Sequence, residues 1–129
     1  MAEQRFRLRH TMLPVKDLDR SIDFYTRVLG MSVVRERRDP SNPTPTAYVA
    51  YGDESTHPAL ELISGTQHAG AKWHGHINVA VADLTAFCER LKGAGATFAR
   101  PNREADGKVR FAYVLDPDGF EIELTEGAQ

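Results

Sequence analysis

This chain states one plan twice. The segment that starts at His10 reads His-Thr-Met-Leu-Pro-Val-Lys-Asp-Leu, and the segment that starts at His76 reads His-Ile-Asn-Val-Ala-Val-Ala-Asp-Leu. His10 and His76, Val15 and Val81, Asp17 and Asp83, and Leu18 and Leu84 all stand 66 positions apart. An internal duplication is the simplest account of a constant offset that runs through a strand-like segment into the start of a helix.

The chain beyond each segment repeats too. Residues 17–29 carry Leu18, Ile22, Tyr25 and Leu29 at helical spacing, with Asp17 placed to cap the start and Gly30 to end it. Residues 83–94 do the same with Asp83 as cap, Leu84, Phe87, Cys88 and Leu91 on one face, and Gly93 and Gly95 near the end. Strand-like runs come next: 32–37, 47–51 and 59–63 in the first half, then 97–100, 110–115 and 121–125 in the second. The last runs match as well, Leu60-Glu61-Leu62 against Ile122-Glu123-Leu124, 62 positions apart. Gly52-Asp53 and Asp116-Pro117-Asp118-Gly119 are suited to the turns before them. The expectation is an α+β chain of two βαβββ modules in tandem, 7–65 and 74–126, sharing one domain, with only the polar stretch 65–72 between them.

At 129 residues with 41% hydrophobic content the chain has enough apolar material for a core. Its 16 basic and 18 acidic residues are dispersed, so nothing marks a nucleic-acid partner. No run approaches membrane-spanning length, and residues 1–10 lack the apolar stretch of a signal peptide; a soluble cytoplasmic protein is expected. Cys88 is the only cysteine, which excludes an intrachain disulfide and a thiolate cluster, and its place on a helical face reads as core.

The positions that repeat are chemically pointed: a histidine opening the first strand and a glutamate inside an apolar last strand, in both halves. A carboxylate flanked by leucine or isoleucine is costly to bury unless it is paired or bound to a cation. If the modules come together about a pseudo-twofold axis, His10, Glu61, His76 and Glu123 form an N2O2 set for Ni, Co, Fe, Mn or Zn. Each member has a plainer reading on its own. His10 could be a half-exposed strand residue, and Glu61 a solvent-facing one with Leu60 and Leu62 turned the other way. His74 shares a face with His76, and Glu121 with Glu123. His57 and His68 have no counterpart and read as surface loop residues.

With these residues in view, Leu8-Arg9-His10-Thr11-Met12-Leu13, Asp19-Arg20-Ser21-Ile22-Asp23-Phe24-Tyr25, Val28-Leu29-Gly30-Met31, Gly75-His76-Ile77 and Asp116-Pro117-Asp118-Gly119-Phe120 resemble segments of the glyoxalase I (lactoylglutathione lyase) family, part of the vicinal oxygen chelate superfamily. The resemblance runs over roughly residues 7 to 126. It implies a metal-lined cleft, commonly at a homodimer interface, with one divalent metal per site held by His10, Glu61, His76 and Glu123. The short bacterial-type loops resemble the nickel- or cobalt-activated class more than the zinc class. The implied reaction isomerises the hemithioacetal of methylglyoxal and glutathione to an S-lactoyl thioester. A Lewis-acidic ion would stabilise an enediolate while Glu123 acts as principal base and Glu61 as the opposite carboxylate.

Two departures concern the thiol. Where close relatives have an arginine four residues after the first histidine, this chain has Pro14, and where they have an asparagine four residues after the first glutamate, it has Gly65. Glutathione or another thiol therefore remains open as cosubstrate. Lys72, Arg37, Lys108 and Arg103 are the cationic candidates for holding it. Other metalloenzymes of the superfamily (epimerase, ring-opening dioxygenase, thiol transferase) and a non-catalytic drug-binding dimer are the alternatives.

Overall fold

Alternation along the strands and a capped helix after the first strand decide the fold of each half. The computed structural model describes residues 6–71 and 74–127 and divides into two compact units, Met1–Ala71 and Lys72–Gln129.

In the first unit, β1 (His10–Pro14) is followed by α1 (Leu18–Asp23), a π-helical turn (Phe24–Val28), and strands β2 (Ser32–Arg37), β3 (Thr46–Ala50) and β4 (Ala59–Ile63). The sheet order is β1-β4-β3-β2, with β1 parallel to β4 and the other pairs antiparallel. Asp17 caps α1 as expected, its carboxylate accepting from the Arg20 backbone N–H at 3.1 Å. The expected single helix over 17–29 is instead an α-helix that widens by one residue. Leu29 N–H donates to the Phe24 carbonyl five residues back, and the Thr26 hydroxyl donates to the Ile22 carbonyl at 2.7 Å. Phe24, Tyr25, Val28 and Leu29 are all buried. Gly30 ends the element at φ 78°, a conformation that costs a side-chain-bearing residue. Leu13, Val49, Leu60 and Leu62 are buried alongside these helical residues.

In the second unit, β5 (His76–Val81), α2 (Leu84–Gly93), β6 (Thr97–Phe98), β7 (Arg103–Ala105), β8 (Lys108–Leu115) and β9 (Glu121–Glu126) form a sheet of order β5-β9-β8-β6, with β7 paired to β8. Asp83 caps α2 through the Ala86 N–H at 3.0 Å. Leu84, Cys88 and Leu91 of the helix and Val114, Ile122 and Leu124 of the sheet are almost wholly buried, so Cys88 is a core residue. The sequence pattern predicts a strand over 97–100 and none at 103–105, whereas the structure has a shorter β6 and the extra strand β7. The β7–β8 hairpin turns on Asp106 and Gly107, both at positive φ (55° and 74°), an Asp-Gly pair of the kind tight hairpins require. The βαβββ order holds in both units, and β7 is an addition to the second.

Candidate functional site

Period-two alternation explains how a glutamate stands between leucines. In β4, Leu60 and Leu62 point to the buried side and Glu61 to the other, where its side chain is 14% exposed. Strand register then chooses its neighbours. Glu61 lies opposite Met12 of β1 on one side and Tyr48 of β3 on the other, and Tyr48 in turn lies opposite Arg35 of β2. His10 stands two residues before Met12, on the same face. Its Nε2 is 3.8 Å from one Glu61 oxygen, while the Tyr48 hydroxyl donates to the other.

The second unit repeats this row. Glu123 lies opposite Asn78 of β5 and Tyr113 of β8. Its Oε1 is 3.4 Å from His76 Nε2, and its Oε2 accepts from the Tyr113 hydroxyl at 2.6 Å. Each imidazole meets its tyrosine edge to face, with ring centroids 5.5 Å apart for His10 and Tyr48 and 5.8 Å for His76 and Tyr113. A guanidinium lies over the tyrosine ring in both: Arg35 at 3.8 Å from Tyr48 and Arg100 at 4.1 Å from Tyr113. Arg35 is anchored by Glu54, and Arg100 by Glu121.

The electrostatics follow these contacts. The Tyr113 hydroxyl, ahead of Asn78 and His76, holds the Glu123 carboxyl below the usual carboxylate range against the opposing effect of burial. Tyr113 is pushed up chiefly because it donates to that carboxylate, and Tyr48 chiefly by burial and then by Glu61. Both tyrosines therefore stay protonated and remain donors near neutral pH.

The structure thus brings His10 to Glu61 and His76 to Glu123. Among the described residues, no group of three or more His, Cys, Asp or Glu side chains lies close enough together to hold a metal ion, so each unit by itself presents one imidazole–carboxylate pair. Glu121, the face-sharing competitor of Glu123, is taken by Arg100. Arg103 shares an open cleft of about 280 Å³ with Arg100, Pro101, Phe111, Tyr113 and Glu123. Lys108 is paired with Ala105 next to the Asp106-Gly107 turn, and the cleft lining does not include it. Arg37 stands two residues after Arg35 on β2, on the same face and diagonal to Tyr48. Lys72 lies outside the described residues. Gly65 has φ 81°, and a Cβ there would come 2.6 Å from the Pro43 carbonyl oxygen, so its loop has no room for asparagine without moving backbone.

Sequence reasoning missed Tyr48, Tyr113, Arg35 and Arg100. The signal was present: Ala47-Tyr48-Val49 and Ala112-Tyr113-Val114 are the same tripeptide 65 positions apart, and Arg35 and Arg100 share that offset.

Residues 7–124 match the family described as the Glyoxalase/Bleomycin resistance protein/Dioxygenase superfamily. The chain belongs to this superfamily. It is 39% identical over 127 residues to a probable lactoylglutathione lyase of Vibrio cholerae, covering 95% of this chain and 92% of that one. It is also 39% identical over 124 residues to the lactoylglutathione lyase of Escherichia coli O157:H7, covering 93% and 92%. Among solved structures it resembles the trypanothione-dependent glyoxalase I of Leishmania major, with a TM-score of 0.82, 34% identity, and coverage of 95% of this chain and 87% of that one. The glyoxalase I of Zea mays gives a TM-score of 0.82 at 31% identity, and there this chain spans 45% of its relative's length. With these relatives, the chain is a glyoxalase I-like lyase of the vicinal oxygen chelate fold.

Proposed function

We propose that this protein isomerises the hemithioacetal formed by methylglyoxal and a thiol to the S-lactoyl thioester, with His10, Glu61, His76 and Glu123 as ligands of one divalent ion. The observation that carries the reading is the repeated His–Glu pair, His10 with Glu61 and His76 with Glu123, set at the same register in two sheets. The donors fit such an ion. Imidazole nitrogen with carboxylate oxygen suits nickel, cobalt or zinc, and each carboxylate keeps one oxygen beside its imidazole while a tyrosine engages the other. Nickel or cobalt is favoured, and we place the complete site at the interface of a homodimer in the cytoplasm.

When bound, the ion supplies Lewis acidity toward the substrate oxygens. The residues do the rest. Glu123, largely shielded and ionised, takes the proton from the carbon that carries the thiol and returns it to the neighbouring carbon, with no net change of protonation. Glu61 is the carboxylate on the opposite side. Arg103, in the cleft beside Glu123, and Arg37, on the open face beside Tyr48, are the cations offered to the thiol's carboxylates. Pro14 and Gly65 stand where the family resemblance implies polar anchors, which leaves the thiol open, and one solved relative is trypanothione-dependent.

The test is metal-reconstituted protein assayed with methylglyoxal and a panel of thiols that includes glutathione, with bound metal measured in parallel for His10→Ala and His76→Ala. Turnover with one of the thiols and loss of metal in both variants is the expected result. Metal content that is unchanged in both variants would sink the ligand assignment, and absence of turnover with every thiol would sink the reaction.

A further inference from the structure

One contact that both sheets repeat is not required by ligation. Tyr48 donates to one oxygen of Glu61 and leaves the other beside His10; Tyr113 donates to one oxygen of Glu123 and leaves the other beside His76. Neither phenol is free to turn. Each ring meets an imidazole in an edge-to-face pair and carries a guanidinium over it, and each guanidinium is fixed by its own carboxylate, Glu54 or Glu121. Each sheet therefore carries an ordered file of carboxylate, arginine, tyrosine, glutamate and histidine.

We propose that Tyr48 and Tyr113 are positioning residues that limit Glu61 and Glu123 to one oxygen each toward the metal, an inference that rests on the ligand reading under the proposed function. A carboxylate with both oxygens free can swing to present both to a cation. A phenol donor on one oxygen opposes that swing and aims the other. The two halves are not equally dependent on it. Asn78 Nδ2 donates to Glu123 Oε1, the oxygen on the His76 side, at 2.9 Å and so still fixes the turn of that carboxylate when the phenol is gone, whereas the residue opposite Glu61 is Met12, which has no donor to give. Loss of the phenol hydroxyl therefore leaves Glu123 with one remaining neutral donor and Glu61 with none from that strand. Glu61 is the ligand that depends on its tyrosine.

The experiment titrates cobalt(II) into the metal-free protein against a competing chelator and records the visible absorption of the cobalt-loaded protein. The variants are Tyr48→Phe, Tyr113→Phe and Tyr113→Phe with Asn78→Leu, each of which keeps the ring for the arginine to cover. Tyr48→Phe is expected to weaken cobalt binding by about 10–100-fold. Tyr113→Phe should weaken it less, and the double variant should fall to the level of Tyr48→Phe. The visible bands of the cobalt-loaded variants should differ from the parent's, while the unfolding midpoints of the metal-free variants stay with the parent. If both single variants bind cobalt as tightly as the parent with unchanged spectra while Glu61→Gln and Glu123→Gln lose it, the positioning role is wrong and the ligand reading stands. If the glutamine variants also keep cobalt, both ideas fall together. Equal losses in the two single variants would overturn the asymmetry.

Discussion

The first half of this chain and the second solve the same problem with different amounts of support. Both hang a glutamate from the last strand between a tyrosine and the first strand, beside a histidine two register positions away. In the first half Tyr48 is 3% exposed and sits with Ala50 and Ala59 in a small apolar cluster, with Val34 against it. In the second, Tyr113 lines an open cleft, and Asn78 and Thr125 build a polar network around Glu123. The helices differ too: α1 runs on into a π-helical turn over Phe24–Val28, while α2 is regular over Leu84–Gly93. The lesson is that the duplicated part is the row of side chains across the open sheet face, and the packing beneath it has been free to diverge. A row whose members touch one another constrains residue type more tightly than a core, which tolerates apolar exchange at roughly constant volume.

If the two glutamates share the proton transfer, replacing each in turn is the most severe way to break the comparison. Glu123→Gln and Glu61→Gln should each lower turnover by about 10²–10⁴-fold, the usual worth of a general base, with the larger loss at Glu123. Steady-state kinetics on metal-loaded variants would show it, and a loss confined to the Michaelis constant would contradict a role in the chemistry.

The equivalence of the two cores can be tested with Leu62 and Leu124, both fully buried and both one residue after a site glutamate. Leu62→Ala and Leu124→Ala should each cost about 2–5 kcal/mol in chemical denaturation, the range for emptying a packed leucine site. If the units unfold independently, each substitution will shift a separate transition. A single transition shifted by both would show that they unfold cooperatively.

A smaller effect sharpens the contrast at the ends of the last strands, where Gly65 and Gly127 occupy matching positions with φ of 81° and 138°. A Cβ on Gly65 meets the Pro43 carbonyl oxygen, whereas nothing lies within 4 Å of one on Gly127. Gly65→Ala should cost about 1–3 kcal/mol from backbone strain, with the contact adding to it, and Gly127→Ala should cost less. Thermal unfolding of the two variants side by side would decide it. Equal losses would mean that the Pro43 loop yields.

Much of this was legible without coordinates because it is local or periodic. The two aspartate caps, the helix starts, the strand order and the alternation that turns Glu61 and Glu123 away from their leucine and isoleucine neighbours depend only on residues close in the chain. The paired histidines and glutamates were legible for a different reason, since a repeat exposes positions that a single copy would hide among ordinary strand residues. The π-helical turn was not, because spacing alone does not say whether a helix will widen to bury Phe24 and Tyr25 together. The β7–β8 hairpin was marked by Asp106-Gly107, but Arg103–Ala105 is too short and too polar to read as a strand unaided. Tyr48 and Tyr113 are apolar enough to be taken for core, and only the antiparallel register that sets them opposite Glu61 and Glu123 makes their hydroxyls part of the site. Just after β6, Arg100 pairs with Glu121, and the hairpin brings Arg103 into the Glu123 cleft and leaves Lys108 beside its turn. By itself the sequence determined the two helix starts, the repeated βαβββ order and the four candidate ligands, since those follow from neighbours along the chain and from the repeat. Which side chains hold those ligands was decided only by tertiary structure, because pairing joins residues 13 and 10 positions apart, Tyr48 with Glu61 and Tyr113 with Glu123, across turns whose geometry sets the register.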